Sequence, residues 1–275
     1  MGGKMGTIVA LMACLCSHLT VFSKWVIPPE RRGTWENAGY SPSSRTIPRQ
    51  YTYSINITTF GGHGDGLGDN TNALNAAINY CASNNYPAAV ILFPAGTYRF
   101  ESQIDIGRSG IVLRGAGSNQ TIFKFNATNL IVPLVKVEGK QNVGIENLLV
   151  MRDPFAGNQT HNFEFIDSQN CWVQGVESQK TGRHHINISG GNSIVVKGCF
   201  FTDAEIHTGG GYGYGVNVTG PAYNCLIEDN IFRQLRHAIV FQFNAHDNVA
   251  GYNYAREGHA RRTEGGITLT TKKPI

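Results

Sequence analysis

The chain repeats one short pattern four times after residue 160, and this repetition limits the folds that it can adopt. In each copy apolar residues alternate with other residues at period two, and a second short segment led by Asn or Asp follows. The four copies are His161–Asp167, His184–Gly190, Tyr214–Gly220 and His237–Phe243. The second segments begin at Asn170, Asn192, Asn224 and Asp247. These starts lie 22, 32 and 23 residues apart, and repeats of this length with short strands predict a β-solenoid.

Stacking of the coils predicts which side chains become neighbours. Successive coils of a parallel β-helix lie about 4.8 Å apart, so equivalent positions form columns. One column contains His161, His184, Tyr214 and His237. The position before it contains Arg183, Gly213 and Arg236, and the position three residues after it contains Glu164, Asn187, Asn217 and Val240. The extra residues of the longest step lie in 202–213, which we interpret as a loop that helps to build a binding face.

Composition indicates one elongated domain and an anionic partner. Although 275 residues exceed the usual size of a compact domain, a solenoid grows along one axis and keeps a single thin core. The net charge of +4 suits a polyanion. Blocks of Lys and Arg with interleaved aromatic residues, which mark nucleic-acid binding, are missing. We therefore expect an acidic polysaccharide as partner and no nucleic acid.

The N-terminal region predicts secretion. Lys4 precedes an apolar run from Ile8 to Cys16, which is too short to span a bilayer and has the length of a signal-peptide core. We assign residues 1–23 to a signal peptide, with a lipoprotein anchor at the imperfect lipobox Leu11–Cys14 as the minor alternative. Six Asn-x-Ser/Thr sequons would be glycosylated only in a eukaryotic secretory pathway.

Two further segments complete the predicted organisation. Residues 24–56 show no periodicity and are expected to pack along the solenoid as an extended arm. Residues 57–275 form the predicted β-helix domain, and the absence of a capping pattern before Ile275 favours a chain truncated at its C-terminus.

A glycine-rich loop followed by a helical pattern stands at the start of the domain. Asp69 or Asn70 is placed to cap a helix near residues 70–83, whose apolar face includes Ala73 and Leu74. Together with the runs Phe60–Ile78, Phe93–Tyr98 and Leu113–Gly117, this pattern resembles the N-terminal cap and first coils of the pectate-lyase-like superfamily. The resemblance extends over residues 57–256. It implies an all-β, single-stranded, right-handed parallel β-helix with a short N-terminal capping helix.

The superfamily includes secreted polysaccharide lyases, glycoside hydrolases, epimerases and phage tailspikes, so the fold by itself leaves the activity open. Removal of the proton beside a uronate carboxylate needs a base and a cation, and a lyase also needs an acid for the leaving oxygen. The columns supply such groups on neighbouring coils. The predicted catalytic residues are His237, Arg236, Tyr214 and Arg183. The predicted substrate-binding residues are His184, His185, Asn217, His207 and Gln242.

The first hypothesis is therefore a secreted polysaccharide lyase that cleaves a uronate-containing glycan by β-elimination. Glycoside hydrolysis needs two flanking carboxyl groups. The acidic motifs of similar hydrolases do not occur in the coils, and the Gly-His-Gly at Gly62–Gly64 lies in the cap loop instead. A glycoside hydrolase remains an alternative because the sequence still offers other carboxyl residues: Asp203, Glu205, Glu228, Asp229 and Glu257.

A non-catalytic glycan-binding β-helix is the alternative from another class. Strict alternation would turn His184 inward, so that the column is a structural stack, and would place His185, Asn187, Ser189, Asn217, Thr219 and Gln242 on the outer surface. No metal site is predicted, because the sequence has no regular acidic loop. The resemblance leaves Ca²⁺ open as a cofactor, since some similar lyases use it.

Overall fold

A computed structural model describes residues 38–40, 46–126, 132–153, 160–204 and 210–256. Within these ranges the chain forms one α-helix, α1 (Thr71–Ser83), and short β-strands, with a 3-10 turn at Ile57–Phe60. The first eleven strands are β1 (Tyr53–Asn56), β2 (Asp65–Asp69), β3 (Ala89–Phe93), β4 (Gly96–Phe100), β5 (Ile104–Asp105), β6 (Ile111–Gly115), β7 (Thr121–Phe125), β8 (Val135–Glu138), β9 (Gly144–Glu146), β10 (Leu149–Arg152) and β11 (Phe163–Ile166). The others are β12 (Trp172–Gln174), β13 (Glu177–Thr181), β14 (His184–Ser189), β15 (Val195–Lys197), β16 (Phe200–Ala204), β17 (Tyr214–Thr219), β18 (Leu226–Glu228), β19 (Ile231–Arg233), β20 (His237–Phe241), β21 (Val249–Gly251) and β22 (Tyr254–Arg256).

The strands form three parallel sheets. Sheet A has the order β1-β3-β6-β9-β12-β15-β18-β21, sheet B the order β2-β4-β7-β10-β13-β16-β19-β22, and sheet C the order β5-β8-β11-β14-β17-β20. In the middle of the chain each coil adds one strand to sheet C, then to A, then to B. The predicted all-β parallel β-helix with a short N-terminal helix is confirmed.

The sequence repeats coincide with sheet C. Copies two to four contain strands β14, β17 and β20, and copy one contains β11. The pairing aligns His184 with Tyr214, and Tyr214 with His237. It also aligns Asn187 with Asn217. The predicted register is therefore confirmed, because each strand pairs with the equivalent strand of the next coil.

Alternate side chains of the strands in all three sheets point into the coils and form the core. In the early coils it consists of stacked rings, with Phe100 against Phe123 at 5.1 Å and against Phe125 at 5.4 Å between centroids. In the later coils the core combines fully buried aliphatic residues such as Ile186 and Val216 with the stacked rings of Phe201 and Phe232, whose centroids are 5.1 Å apart. Period-two alternation produces this core, since successive residues of a strand point to opposite faces.

Helix α1 covers the first coils with its apolar face. Ala73, Leu74 and Ala77 are buried against the core, as the amphipathic pattern predicts. Asn70 occupies the N-cap position, but its side chain accepts a hydrogen bond from the His63 amide at 2.7 Å. Asp69 Oδ1 accepts from the amide of Thr71 at 3.1 Å. The cap loop and the helix start are thereby held together.

The segment before the first coil covers the outer face of sheet A. The Tyr40 ring meets the Trp172 ring edge-on at 5.4 Å, and the Arg114 guanidinium lies 5.2 Å from the centre of the Tyr51 ring. Arg114 Nε also donates to Glu146 Oε2 at 2.6 Å. Strand β1 lies within the range 24–56 that the sequence analysis assigns to an arm.

In the part of the chain that the structure describes, no helix has the length and apolar character needed to cross a membrane.

Candidate functional site

Four aromatic rings stack along the edge where the chain enters sheet C, and we call them the ring column. Its members are His161, His184, Tyr214 and His237. The centroid distances along the column are 4.7, 4.8 and 5.0 Å, close to the spacing of the coils. The first three rings are buried, with 7, 2 and 8% of the residue exposed. His237 is half-buried, so it is the member that offers most surface to a ligand.

Alternation breaks at the start of β14, between His185 and Ile186. His185 is fully buried, lies 2.8 Å from Ser178 Oγ through Nδ1, and contacts the core ring of Phe201 at 5.6 Å. Ile186 is also in the core. Tyr214, which stacks on His184, is buried but does not belong to the core cluster. The alternative that strict alternation turns His185 to the outer surface is therefore wrong, because two successive residues face the core here.

The inner position at this point becomes small on the next coils, where Gly215 and Ala238 replace His185. A Cβ atom on Gly215 would stand 2.5 Å from the Phe232 ring and 2.4 Å from the carbonyl oxygen of Ala238. The coil can therefore close only with glycine at position 215.

Burial keeps the histidines of this region neutral. It lowers the pKa of His161 to about 2, with the His184 ring and the Arg183 guanidinium contributing. It lowers the pKa of His184 to about 4 and of His185 to about 3. The pKa of His237 is below its ordinary value of 6.5, first because of burial and then because of the Arg236 charge. A neutral imidazole at His237 can accept a proton near neutral pH.

Two arginines flank the ring column, and we call them the arginine pair. Arg183 is exposed, and its Nε donates to the carbonyl oxygen of Gly211 at 3.2 Å. Arg236 is half-buried, and its Nη1 is buried without a hydrogen-bond partner among the described residues. Gly213 lies between them. Its N–H donates a hydrogen bond to the Arg183 carbonyl oxygen at 2.8 Å, and its own carbonyl oxygen accepts one from the Arg236 N–H at 2.8 Å. The arginines are thus two coils apart, about 10 Å, and no side chain separates them at Gly213.

Amide side chains form a ladder on the outer face of sheet C. Asn187 Nδ2 donates to Glu164 Oε1 at 2.9 Å, and Asn217 Nδ2 donates to Asn187 Oδ1 at 2.8 Å. Gln242 Nε2 donates to Asn217 Oδ1 at 2.8 Å. Asn217 is only 2% exposed and Gln242 is half-buried. These predicted substrate-binding side chains bind one another, so the amide ladder first of all stabilises the stack.

One glycine that the sequence analysis did not select organises the site. The Gly211 carbonyl oxygen accepts from His184 Nε2 at 3.0 Å and from Arg183 Nε, and its N–H donates to Tyr214 Oη at 3.1 Å. Gly211 has φ +84°, a backbone conformation that glycine adopts readily. The glycine-rich end of the 202–213 loop is the sequence signal that could have identified it.

The other candidates lie elsewhere. His207, Glu205 and Glu257 fall outside the described residues. Glu228 and Asp229 lie by sheet A, where they pair with Lys197 at 2.6 and 3.6 Å.

Across the described ranges, no three His, Cys, Asp or Glu side chains approach one another as metal ligands would. No chemical step is therefore assigned to a Ca²⁺ ion.

The chain is similar to known proteins over most of its length. The profile of the family described as rhamnogalacturonase A/epimerase, pectate lyase-like, matches residues 54–260. No curated protein sequence matches the chain.

Three solved structures are similar in fold. ORF18 of Geobacillus virus E2 is 23% identical, with TM-score 0.58, over 74% of this chain and 41% of that one. An exopolygalacturonase from Thermotoga maritima is 13% identical, with TM-score 0.67, over 82% and 64%. The A-module of the Azotobacter vinelandii mannuronan C-5 epimerase AlgE6 is 18% identical, with TM-score 0.58, over 74% and 56%. The chain thus spans less than two thirds of each of these proteins.

Proposed function

The chain belongs to the rhamnogalacturonase A/epimerase family of pectate-lyase-like proteins, and on that premise we propose that it is a lyase acting on a uronate-containing polysaccharide. Two of the similar structures are named for reactions on uronate polymers, an exopolygalacturonase and a mannuronan C-5 epimerase. In the proposed reaction a base removes the proton beside the carboxylate, and β-elimination then breaks the glycosidic bond.

The observation that carries this proposal is Nη1 of Arg236, which is buried and has no hydrogen-bond partner among the described residues. A buried N–H group without a partner costs free energy until a ligand satisfies it. A uronate carboxylate has the charge and the planar geometry that a guanidinium pairs with best. Arg183, on the other side of the Gly213 gap, would hold the carboxylate of a neighbouring sugar.

His237 and Tyr214 then carry the proton transfers. The neutral imidazole of His237 takes the proton from the carbon beside the carboxylate, while Arg236 stabilises the negative charge that develops. The electron pair forms the new C=C bond, and the bond to the leaving oxygen breaks. Tyr214 Oη accepts from the Gly211 N–H, so its own proton remains available for the leaving oxygen. The products are an unsaturated sugar and a free hydroxyl.

A panel of acidic polysaccharides tests the proposal in deuterated buffer. Ultraviolet absorbance of an unsaturated product, growing in step with new chain ends, is the expected result. Deuterium incorporation without chain cleavage would indicate epimerisation, and new reducing ends without absorbance would indicate hydrolysis. Either outcome would replace the lyase assignment.

A charge-matched pair of variants tests the role of Arg236. Arg236→Gln should lower kcat/KM by about 100-fold or more, because it removes a donor that stabilises the transition state. Arg49→Gln removes the same charge from an exposed position in the segment that covers the outer face of sheet A. It should leave kcat/KM unchanged. Equal activity of the two variants would remove Arg236 from the site.

A non-catalytic glycan-binding protein is the second candidate, and the burial of three rings of the ring column favours it. In that case the panel would show binding of an acidic glycan without absorbance, deuterium incorporation or new chain ends.

We also propose that the protein is secreted, with residues 1–23 as its signal peptide. N-terminal sequencing of the protein from culture medium tests this, because retention of Met1 in secreted material would exclude cleavage.

A further inference from the structure

A pocket lies at the N-terminal end of the solenoid, away from the ring column. It encloses about 450 Å³, a size in the range of small-ligand sites. Strand β1 and the residue before it form one side of the pocket, and the 3-10 turn, α1 and the loop after α1 contribute the rest. β1 is the end strand of sheet A, and it lies five coils before the coil that contains β14 and β15, about 24 Å along the axis. We call this site the cap pocket.

Four aromatic rings from separate segments form the apolar wall of the cap pocket. Tyr53 stacks on Tyr86 with centroids 3.8 Å apart and planes 8° apart. Tyr80 meets the edge of Tyr86 at 6.0 Å and lies 5.4 Å from Phe60. Tyr53, Phe60 and Tyr86 are partly buried against the core, whereas Tyr80 is 43% exposed. The core therefore fixes three rings, and the fourth leaves surface that a ligand could cover.

Hydroxyl groups and an absence of charge complete the lining. Ser54 and Thr59 are exposed, and neither side chain makes a hydrogen bond within the described part of the chain. None of the described residues that line the cap pocket carries a charge. The candidate site around Arg183 and Arg236 has the opposite character.

We propose that the cap pocket binds a neutral saccharide. A sugar ring presents C–H groups on its faces and hydroxyl groups around its edge, so it can cover the exposed Tyr80 ring while it bonds to Ser54 and Thr59. A uronate would bury its carboxylate here without a cation, which is costly. A charged peptide would meet the same penalty. This binding does not depend on the reaction proposed above.

Titration calorimetry with defined probes tests this site. The neutral probes are hexasaccharides of glucose, xylose, mannose and galactose, and the acidic probe is hexagalacturonate. At least one neutral probe should bind. Tyr80→Ala should weaken that binding by about tenfold or more, because a partly exposed aromatic contact is removed. Thr59→Val keeps the shape, removes one hydroxyl, and should weaken binding by about fivefold.

Tyr254→Ala is the matched control, because Tyr254 is 59% exposed at the opposite end of the described solenoid. It should leave the Kd of the neutral probe unchanged, and unchanged circular dichroism should show that each variant is folded.

The proposal is overturned if no neutral probe binds, or if Tyr80→Ala binds the neutral probe as tightly as the parent. It is equally overturned if the ligand whose binding depends on Tyr80 proves to be hexagalacturonate rather than a neutral sugar.

Discussion

At the scale of single residues, substitution of His237 distinguishes a catalytic role from a packing role. It contacts the Tyr214 ring at 5.0 Å, yet it is half-buried where the other rings of the ring column are buried. We expect His237→Gln to lower activity about 100-fold or more, with little change in melting temperature. Kinetics on the identified substrate and thermal unfolding measure the two effects.

His246→Gln is a suitable control, because His246 is an exposed histidine that also stacks on a tyrosine, Tyr223 at 5.4 Å. It should retain full activity. If His237→Gln instead keeps its activity and loses about 1–3 kcal/mol of stability, the ring serves packing and the base must be another group.

His185 makes stability depend on pH. Its pKa falls from 6.5 to about 3 on folding, so the unfolded chain binds a proton that the folded chain rejects. The free energy of unfolding should therefore decrease as the pH falls from about 6.5 towards 3, by up to about 1.4 kcal/mol per pH unit for each such histidine. His161 and His184 act in the same direction. Denaturant unfolding between about pH 7 and about pH 5 measures the slope.

Two substitutions test whether His185 causes this pH dependence of the free energy of unfolding. His185→Phe removes one titrating group beside Phe201. It should reduce the change of unfolding free energy with pH by the contribution of one histidine. Ser178→Ala removes the hydroxyl that bonds to both His185 and Asn162 but keeps the imidazole. It should lower stability by about 1–3 kcal/mol and retain the slope. An unchanged slope in His185→Phe would show that other groups cause the pH dependence.

At the scale of the elements, the amide ladder ties the strands of sheet C together. Asn217 on β17 bonds to Asn187 on β14 and to Gln242 just beyond β20. Asn217→Ala should cost about 1–3 kcal/mol, because the two partners lose hydrogen bonds in a largely buried setting. Chemical denaturation measures this cost.

Thr219→Ala is the control, because Thr219 lies on the same strand at a half-buried position. This substitution should lower stability by less than about 0.5 kcal/mol. If Asn217→Ala is as stable as Thr219→Ala but binds the glycan less well, the amide ladder is part of the substrate site instead.

At the scale of the whole molecule, each coil contacts mainly its two neighbours, so damage should remain local. Phe123 is fully buried among Phe93, Phe100 and other rings of the early coils. Phe123→Ala should cost about 3–5 kcal/mol. Hydrogen exchange should accelerate most in β4, β7 and β10, and least in β17 and β20.

The reciprocal change Val218→Ala, in the core of the later coils, should accelerate exchange chiefly in β14, β17 and β20. Equal acceleration over all strands in both variants would mean that the solenoid opens as one cooperative unit.

The sequence alone determined the architecture, because period-two alternation and repeat spacing are local properties of the chain. The alignment of His184, Tyr214 and His237 could be predicted, since coils of similar length bring equivalent residues into register. The capping helix was equally readable from its apolar face.

The tertiary structure decided which of these side chains can meet a ligand. At the start of β14 His185 and Ile186 both face the core, which no alternation rule predicts. Asn217 is buried because Asn187 and Gln242, distant in sequence, satisfy its amide. The lowered pKa values of His184 and His237 and the unpaired Nη1 of Arg236 likewise depend on what neighbouring coils remove from water. Burial and polar pairing are properties of the packed stack, so they appear only when all coils are in place.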